Sequence, residues 1–333
     1  MMANPKLLRR KATLATLASA VALAFMAMPA AHAADPYPSR AVKIVVPYAP
    51  GGTNDIVARL VAQKLGESLG QPVIVENKPG ASGNLGAEQV ARAPADGYTL
   101  LLVTTGHAIA PSLYASLRYN IRTDLAPVTE LTSGPLLVMT NPKAPYRTIG
   151  ELVAAARAKP ASINFGSAGN GSSTHLAVEQ LSALAGVKMT HIPYTGSMPA
   201  MQDVMAGNSQ LVMDLMFSAL PQVAGGKLNA IAITGKKRSP LLPDVPTVAE
   251  SGVPGFEVEV WNGLMAPAAT PRPVIDKLNA EIRKVLESAD MKKRFEAQGF
   301  ESSPTSPAAF GSLLAAEIDR WAKVVQSSGA KVE

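Results

Sequence analysis

Short apolar runs rich in Val, Ile and Leu alternate along this chain with stretches in which apolar residues return every three or four positions. Val42 to Val46, Pro72 to Glu76 and Tyr98 to Val103 have the composition and length of buried strands. Asp55 to Leu69 places Ile56, Leu60, Val61 and Leu65 on one helical face, and Asn84 to Arg92 reads as a second helix. The resulting β-α-β-α-β order implies an α/β fold with a parallel sheet and helices on both faces.

The alternation restarts after Pro142. Ile149 to Ala158, Ser172 to Ala185 and Met198 to Ala206 read as helices, and Ser162 to Phe165, Lys188 to Ile192, Leu211 to Asp214 and Leu228 to Thr234 as strands. A proline-rich break follows at Pro267 to Pro273. Val274 to Val325 then reads as helix, with Leu278, Ile282 and Val285 on one stripe and Leu313, Leu314, Ile318 and Trp321 on another. A helical tail without a sheet of its own must cover a surface offered elsewhere, and the first β/α unit offers one. The expected organisation is a discontinuous first domain, 34–136 plus 260–333, with a second domain, 137–259, inserted into it and a cleft between them. Val128 to Met139 and Glu257 to Leu264, both extended in pattern, would be the crossings. Ligands commonly sit at such junctions and at the C-terminal ends of strands in open α/β sheets.

Residues 1–33 have a different character. Lys6, Arg9, Arg10 and Lys11 precede an Ala-rich apolar stretch from Leu14 to Met28, and Pro29 and Ala31-His32-Ala33 close it. This is the pattern of a secretory signal peptide cut near Ala33, which implies a periplasmic protein. The charge argument changes with it. The chain carries +6 overall, and the four basic residues of the leader account for most of that, so the mature balance is +2. No basic stripe with interleaved aromatics remains, which argues against nucleic acid as a partner. There is no cysteine, which excludes disulfides, thiolate metal sites and a Cys nucleophile. No further long uncharged apolar run follows the leader, so the mature chain is expected to be soluble, and a monomer is expected.

Two turns carry the candidate chemistry. Val45 to Asp55 leads through Gly51 and Gly52 into the first helical stretch, and Ile163 to His175 leads through Gly166, Gly169 and Gly171 into another. A helix start leaves unpaired N–H donors and a partial positive charge, which suits a carboxylate or phosphate. In the first turn the backbone of Gly51, Gly52 and Thr53 is the ligand candidate, while Asp55 and Arg59 read as a structural pair. In the second, Ser167, Ser172, Ser173 and Thr174 surround the glycines, and the cluster favours a ligand over plain capping. It is no nucleotide loop, because Ser172 stands where a phosphate-loop lysine belongs and Thr174 where a dinucleotide fingerprint has glycine. Thr104-Thr105-Gly106-His107 follows the third strand, and His107 either donates to a carboxylate or closes a turn. Catalysis is not expected: the chain has no Gly-x-Ser-x-Gly, no His-Glu-x-x-His or comparable metal spacing, and no evident acidic partner for His175. No cofactor or metal is implied.

Val46-Pro47-Tyr48-Ala49-Pro50-Gly51-Gly52-Thr53-Asn54-Asp55-Ile56-Val57-Ala58-Arg59 resembles the Pro-Phe/Tyr-x-x-Gly-Gly-x-x-Asp-x-x-Ala-Arg signature of the solute receptors of tripartite tricarboxylate transporters, the Bug proteins. Val75 to Asn84, Ala95 to Leu100, Ile192 to Gly196, Leu242 to Gly252 and Trp261 to Leu264 extend the resemblance over nearly the whole mature chain. It implies a two-lobed periplasmic binding protein of the type II, Venus-flytrap kind, each lobe a mainly parallel sheet flanked by helices. Such a receptor closes on a small carboxylate and docks on membrane permease subunits, or, in a sensory variant, on a signalling ectodomain. By position it implies ligand contacts from Tyr48, Ala49, Gly51, Gly52 and Thr53 in one lobe. Ser167, Gly171, Ser172, Ser173, Thr174 and His175 would act from the other, with Thr105 and His107 from a neighbouring loop and Tyr194, Thr195 and Gly196 from the second lobe. The family tends to carry Val-Asp-x-Met-Phe-Asp before its hinge; here Asp214 keeps the last position, but Gln210 and Met213 depart from the pattern. Which acid is bound, whether a di- or tricarboxylate, an aromatic acid or an acidic amino acid, stays open. Valine at Gly52 or Gly169 is expected to abolish binding with the fold intact.

Overall fold

The computed structural model describes residues 37–330, so the expected leader and its cleavage site lie outside the described residues. Contacts divide the chain at Ser39, and the fold is that of the unit beginning at Arg40. In chain order it runs β1 (Val42–Val46), α1 (Thr53–Leu69), β2 (Val73–Asn77), α2 (Asn84–Ala91), β3 (Thr99–Thr104), α3 (Thr105–Leu113), β4 (Leu125–Thr140), α4 (Ile149–Ala158) and β5 (Asn164–Ser167). It continues with α5 (Ser173–Ala185), β6 (Thr190–Pro193), α6 (Ser197–Ala206), β7 (Leu211–Leu215), α7 (Met216–Ala224), β8 (Asn229–Ile233) and β9 (Glu259–Pro267). The last elements are α8 (Arg272–Glu287), α9 (Ala289–Glu296), β10 (Glu301–Ser302) and α10 (Pro307–Ser328).

β1 pairs in parallel with β2 and β3, joined by helical crossovers, as the sequence alternation implies. The free edge of β3 is taken by β9, running antiparallel, and β9 in turn pairs antiparallel with β4. β4 then changes partners. Up to Pro135 it lies against β9; from Leu136 to Thr140 it pairs with β7 and β8 in a second sheet, where β5 runs parallel to β6 and β7. One long strand is thus common to both sheets. Among the described residues no helix is long and apolar enough to cross a membrane.

The differences from the sequence reading have physical causes. α3 occupies a segment that reads as loop: Ala108, Ile109, Ala110 and Leu113 are all buried, so no polar face marks a helical period. The segment from Val274 to Val325 is not one helical run. It breaks where Gly299 takes φ +78° and Pro304 follows, and β10 fills the gap. Phe295 and Phe300 are buried at this break, so the apolar pattern reads straight through it.

α10 buries Phe310, Leu314, Ile318, Trp321 and Val325 against α3, β4 and α5. Burying side chains of this size stabilises by about 1.5–3 kcal/mol each. Phe310 also sets the backbone of β9: a Cβ on Gly263 would stand 2.2 Å from the Phe310 ring, while Trp261 meets the same ring edge-on at 5.7 Å.

Asp55 ties three elements beside the first turn. Its Oδ2 accepts from the Gly51 amide at 2.9 Å and from Arg59 Nε at 2.9 Å, and its Oδ1 accepts from Asn77 Nδ2 at 2.9 Å. Asn77 also donates to the Tyr48 carbonyl. Burial opposes ionisation of Asp55, but these hydrogen bonds outweigh it and hold the carboxyl below its ordinary range. Its contribution is therefore present at neutral pH and lost as pH falls through the carboxylate range. Glu130 on β4 acts in the opposite sense, because burial and the nearby Glu259 and Glu317 push its carboxyl up to about 8.

Two outcomes are expected. Gly263→Ala overpacks the junction with Phe310 and should lower stability in urea unfolding by about 1–3 kcal/mol; an unchanged midpoint contradicts this packing. Asp55→Asn should destabilise by about 1–3 kcal/mol near pH 7, toward the lower end because Arg59 is half exposed, and the gap to the parent should narrow as acid protonates the lowered Asp55 carboxyl. A gap independent of pH would show that the charge does not hold the turn.

Candidate functional site

The first turn is built around a helix start that no side chain caps. Gly51 takes φ +81°, and α1 opens at Gly52, whose carbonyl accepts the first helical bond from Ile56. The Gly51 amide is taken by Asp55. The amides of Thr53 and Asn54 have no acceptor among the described residues. Ala49, Gly51 and Gly52 are exposed, and Thr53 is half-buried. Arg59 is held by Asp55 and by Asn77 at 3.0 Å, so the turn presents backbone donors without a free cation.

The neighbouring turn after β3 is closed from inside. Thr104 caps α3, and His107 Nδ1 accepts from the Thr104 amide at 3.1 Å. The turn is closed through Nδ1, which leaves the ring proton on Nε2. Burial drives its imidazole toward the neutral form, with the pKa at about 4, and its Nε2 has no hydrogen-bond partner among the described residues. The Thr105 hydroxyl accepts from the Trp261 amide at 2.9 Å, which ties it to β9. The Tyr48 hydroxyl bonds Thr104 Oγ1 at 2.8 Å, and burial pushes the phenol up to about 12. The phenol fits because Gly83 and Gly106 lack side chains: a Cβ on either would lie 3.2 or 3.3 Å from its oxygen. Gly83 ends a segment, Gly80 to Gly83, in which each residue has positive φ. Sequence reasoning missed this support, although the Gly80-x-x-Gly83 spacing was its available signal.

The second turn spends most of its polar groups on itself. Ser172 caps α5 by accepting from the His175 amide at 3.2 Å and donates to the Gly169 carbonyl at 2.8 Å. Thr174 Oγ1 accepts from the Ala168 amide at 3.0 Å, and Ser167 Oγ from the Gly169 amide at 3.1 Å. The Gly171 amide goes to His175 Nδ1 at 3.1 Å. Three of the four hydroxyls that the sequence offers to a ligand are therefore internal supports; Ser173 is the exception. The amides of Asn170, Ser173 and Thr174 remain without an acceptor among the described residues. His175 does have an acidic neighbour, contrary to the sequence reading: Glu179 lies one helical turn on, with Oε1 at 3.6 Å from Nε2.

The remaining candidates divide. Gly196 takes φ +133° and starts α6 without a side-chain cap, and Thr195 beside it is exposed. The Tyr194 amide donates to the Ser167 carbonyl at 3.1 Å, which couples this loop to the second turn, but the Tyr194 ring packs over Gly166. Asp214 is buried at the end of β7, where Oδ1 accepts from Leu215 N and Ser218 Oγ while Oδ2 lacks a partner among the described residues. Burial pushes its carboxyl up. The departures at Gln210 and Met213 fall on supporting positions. Gln210 Oε1 accepts from the Asn164 amide, and Met213 is buried in the core.

The structure brings α3 onto the second turn. Gly171 has φ +72°, and a Cβ there would collide with Leu113 Cδ1 at 2.0 Å, so the turn closes over the last residue of α3. A surface hollow of about 310 Å³ lies elsewhere, lined by Ala126, Pro127, Thr270, Arg272 and Ile275. It contains none of these residues, and its cation, Arg272, is paired with Asp276. The two turns carry helix-start amides without acceptors among the described residues, the kind of donor group that suits an anion.

Comparison with known proteins identifies the family. Residues 57–330 match the tripartite tricarboxylate transporter family receptor. A protein of R. palustris solved with adipate is 35% identical, with a TM-score of 0.82, covering 89% of this chain and all of that one. MatC from Rhodopseudomonas palustris, with bound malate, is 36% identical with a TM-score of 0.77, covering 87% of this chain and 100% of that one. The periplasmic binding protein BugD is 37% identical with a TM-score of 0.78, covering 89% of this chain and 100% of that one. The chain belongs to the tripartite tricarboxylate transporter receptor family, and its fold is that of the Bug periplasmic binding proteins.

Proposed function

We propose that this chain is a periplasmic receptor that captures a small dicarboxylate between two lobes and delivers it to the membrane permease of a tripartite tricarboxylate-type transporter. The carrying observation is the pair of helix starts, α1 and α5, each with backbone amides left without acceptors and neither with a free cation at its turn. Each helix start carries roughly half a positive charge, enough to favour a carboxylate at either end of the ligand. The bound acids of the relatives, adipate and malate, each have two carboxylates, one for each helix start in this reading.

In this reading the lobes are 34–136 plus 260–333 and 137–259. The partner change of β4 after Pro135 supports placing the hinge there, opposite the start of β9. Ligand shifts the open–closed balance by the contacts that closure adds, here the donors of the second turn. A site of peptide dipoles should also depend less on salt than one of lysines and arginines. In this reading residues 1–33 are a leader cut near Ala33 that directs the chain to the periplasm. Catalysis does not fit the geometry: the serine with a histidine at hydrogen-bond distance is Ser167, fully buried, and Ser172 is committed to the cap.

Gly52→Val is the cleaner test of the clamp. Gly52 has φ −79°, is exposed, and a Cβ there meets nothing nearer than the Ala49 carbonyl at 3.8 Å. Gly169→Val is a poor probe, because φ +124° strains any side chain and its Cβ lies 3.3 Å from the Tyr194 carbonyl; the expectation of an undisturbed fold fails at that position. In a thermal-shift and calorimetric screen, adipate or malate at about 100 times Kd should stabilise the parent by about 2.7 kcal/mol and Gly52→Val hardly at all. Equal affinity of parent and variant contradicts the clamp.

A further inference from the structure

Beneath the second turn lie two imidazoles. His175 on α5 and His191 on β6 stack at 3.7 Å between ring centres and 9° between planes, and Phe165 lies against both, at 6.0 and 5.0 Å. Each ring is hydrogen-bonded to the turn. His175 Nδ1 accepts from the Gly171 amide at 3.1 Å, so its own proton sits on Nε2, toward Glu179 Oε1 at 3.6 Å. His191 Nε2 lies 2.6 Å from Ser167 Oγ. The hydroxyl has one proton and two candidate acceptors. The Gly169 carbonyl is farther, at 3.2 Å, and already accepts from Ser172 Oγ at 2.8 Å. The proton therefore goes to His191 Nε2, and His191 keeps its own on Nδ1. Ser167 Oγ, so oriented, accepts the Gly169 amide.

We propose that His175 and His191 are positioning residues, a stacked pair of neutral acceptors in opposite tautomers that fixes the Gly-rich turn for anion binding. The proposal rests on reading that turn as part of the ligand site. Together the two rings draw the amides of Gly169, through Ser167, and Gly171 onto the support. The amides of Asn170, Ser173 and Thr174 are the ones left for a ligand. A proton on His175 Nδ1 would face the Gly171 amide donor to donor, and one on His191 Nε2 would turn the Ser167 hydroxyl toward the Gly169 carbonyl. Two cationic rings at this separation would also repel. Burial and the adjacent His175 keep His191 neutral, with its pKa lowered to about 3.

The test uses the mature protein at neutral pH. Ring ¹⁵N chemical shifts should show His175 protonated on Nε2 and His191 on Nδ1, and the Gly171 amide should be protected from exchange. The same tautomer on both rings, or a rapidly exchanging Gly171, overturns the assignment whether or not a carboxylate binds. Adipate and malate affinities then test the functional half. His175→Phe and His191→Phe keep a flat ring without an acceptor and should weaken binding roughly 5- to 100-fold. His175→Asn and His191→Gln, which restore an oxygen acceptor near the lost nitrogen, should recover most of it. Equal loss in the Phe and amide variants, with all four folded by circular dichroism, refutes positioning through the acceptors. If the parent binds neither acid, the proposed function fails while the tautomer measurement still decides the pair.

Discussion

The first amides of a helix have no acceptor within it, and where they stand at a turn something outside the helix must answer them. Both candidate turns meet this demand incompletely. At α1 the Gly51 amide is given to Asp55 and those of Thr53 and Asn54 are not given away. At α5 the hydroxyls of Ser167, Ser172 and Thr174 and the ring of His175 satisfy their neighbours, and the amides of Asn170, Ser173 and Thr174 stay open. Buried supports and open donors alternate within a few residues. That combination makes each turn stiff and leaves it chemically unfinished.

The rest of the fold places those turns. The parallel strands β1 and β5 each end in one of them, so a helix start stands at the C-terminal end of a central strand in each sheet. β4 is shared by both sheets, and α10 packs on α3, β4 and α5. The contact between Leu113 and Gly171 joins the end of α3 to the second turn. Burial keeps Tyr48, with its phenol pushed up to about 12, and His107, lowered to about 4, uncharged at neutral pH beside the first turn.

Much of the fold was legible because strands and helices of this kind carry strong periods. β1, β2 and β3 and the helices between them follow directly from runs such as Val42 to Val46 and from the stripe containing Val61 and Leu65. α3 was not legible, since most of its residues are buried and Pro111 lies within it, and neither was the break near Gly299, since Phe295 and Phe300 continue the apolar pattern across it. In the site, the glycines announced the turns. The division of labour among the hydroxyls could not be read, because Ser172 as a cap and Ser172 as a ligand contact have the same sequence. Glu179 was legible and was missed, since Ser172 to Ala185 already reads as a helix and position i+4 then returns to His175. His191 escaped because its role depends on two parallel strands lying side by side, Phe165 opposite His191.

The central claim is that a small anion is held by peptide groups from two helix starts. It is tested most directly by titrating ¹⁵N-labelled mature protein with adipate and following backbone amide shifts. The account predicts that the largest downfield proton shifts fall on Thr53, Asn54, Ser173 and Thr174, saturating together with one affinity. Shifts confined to one turn, or concentrated on residues outside both, would contradict it.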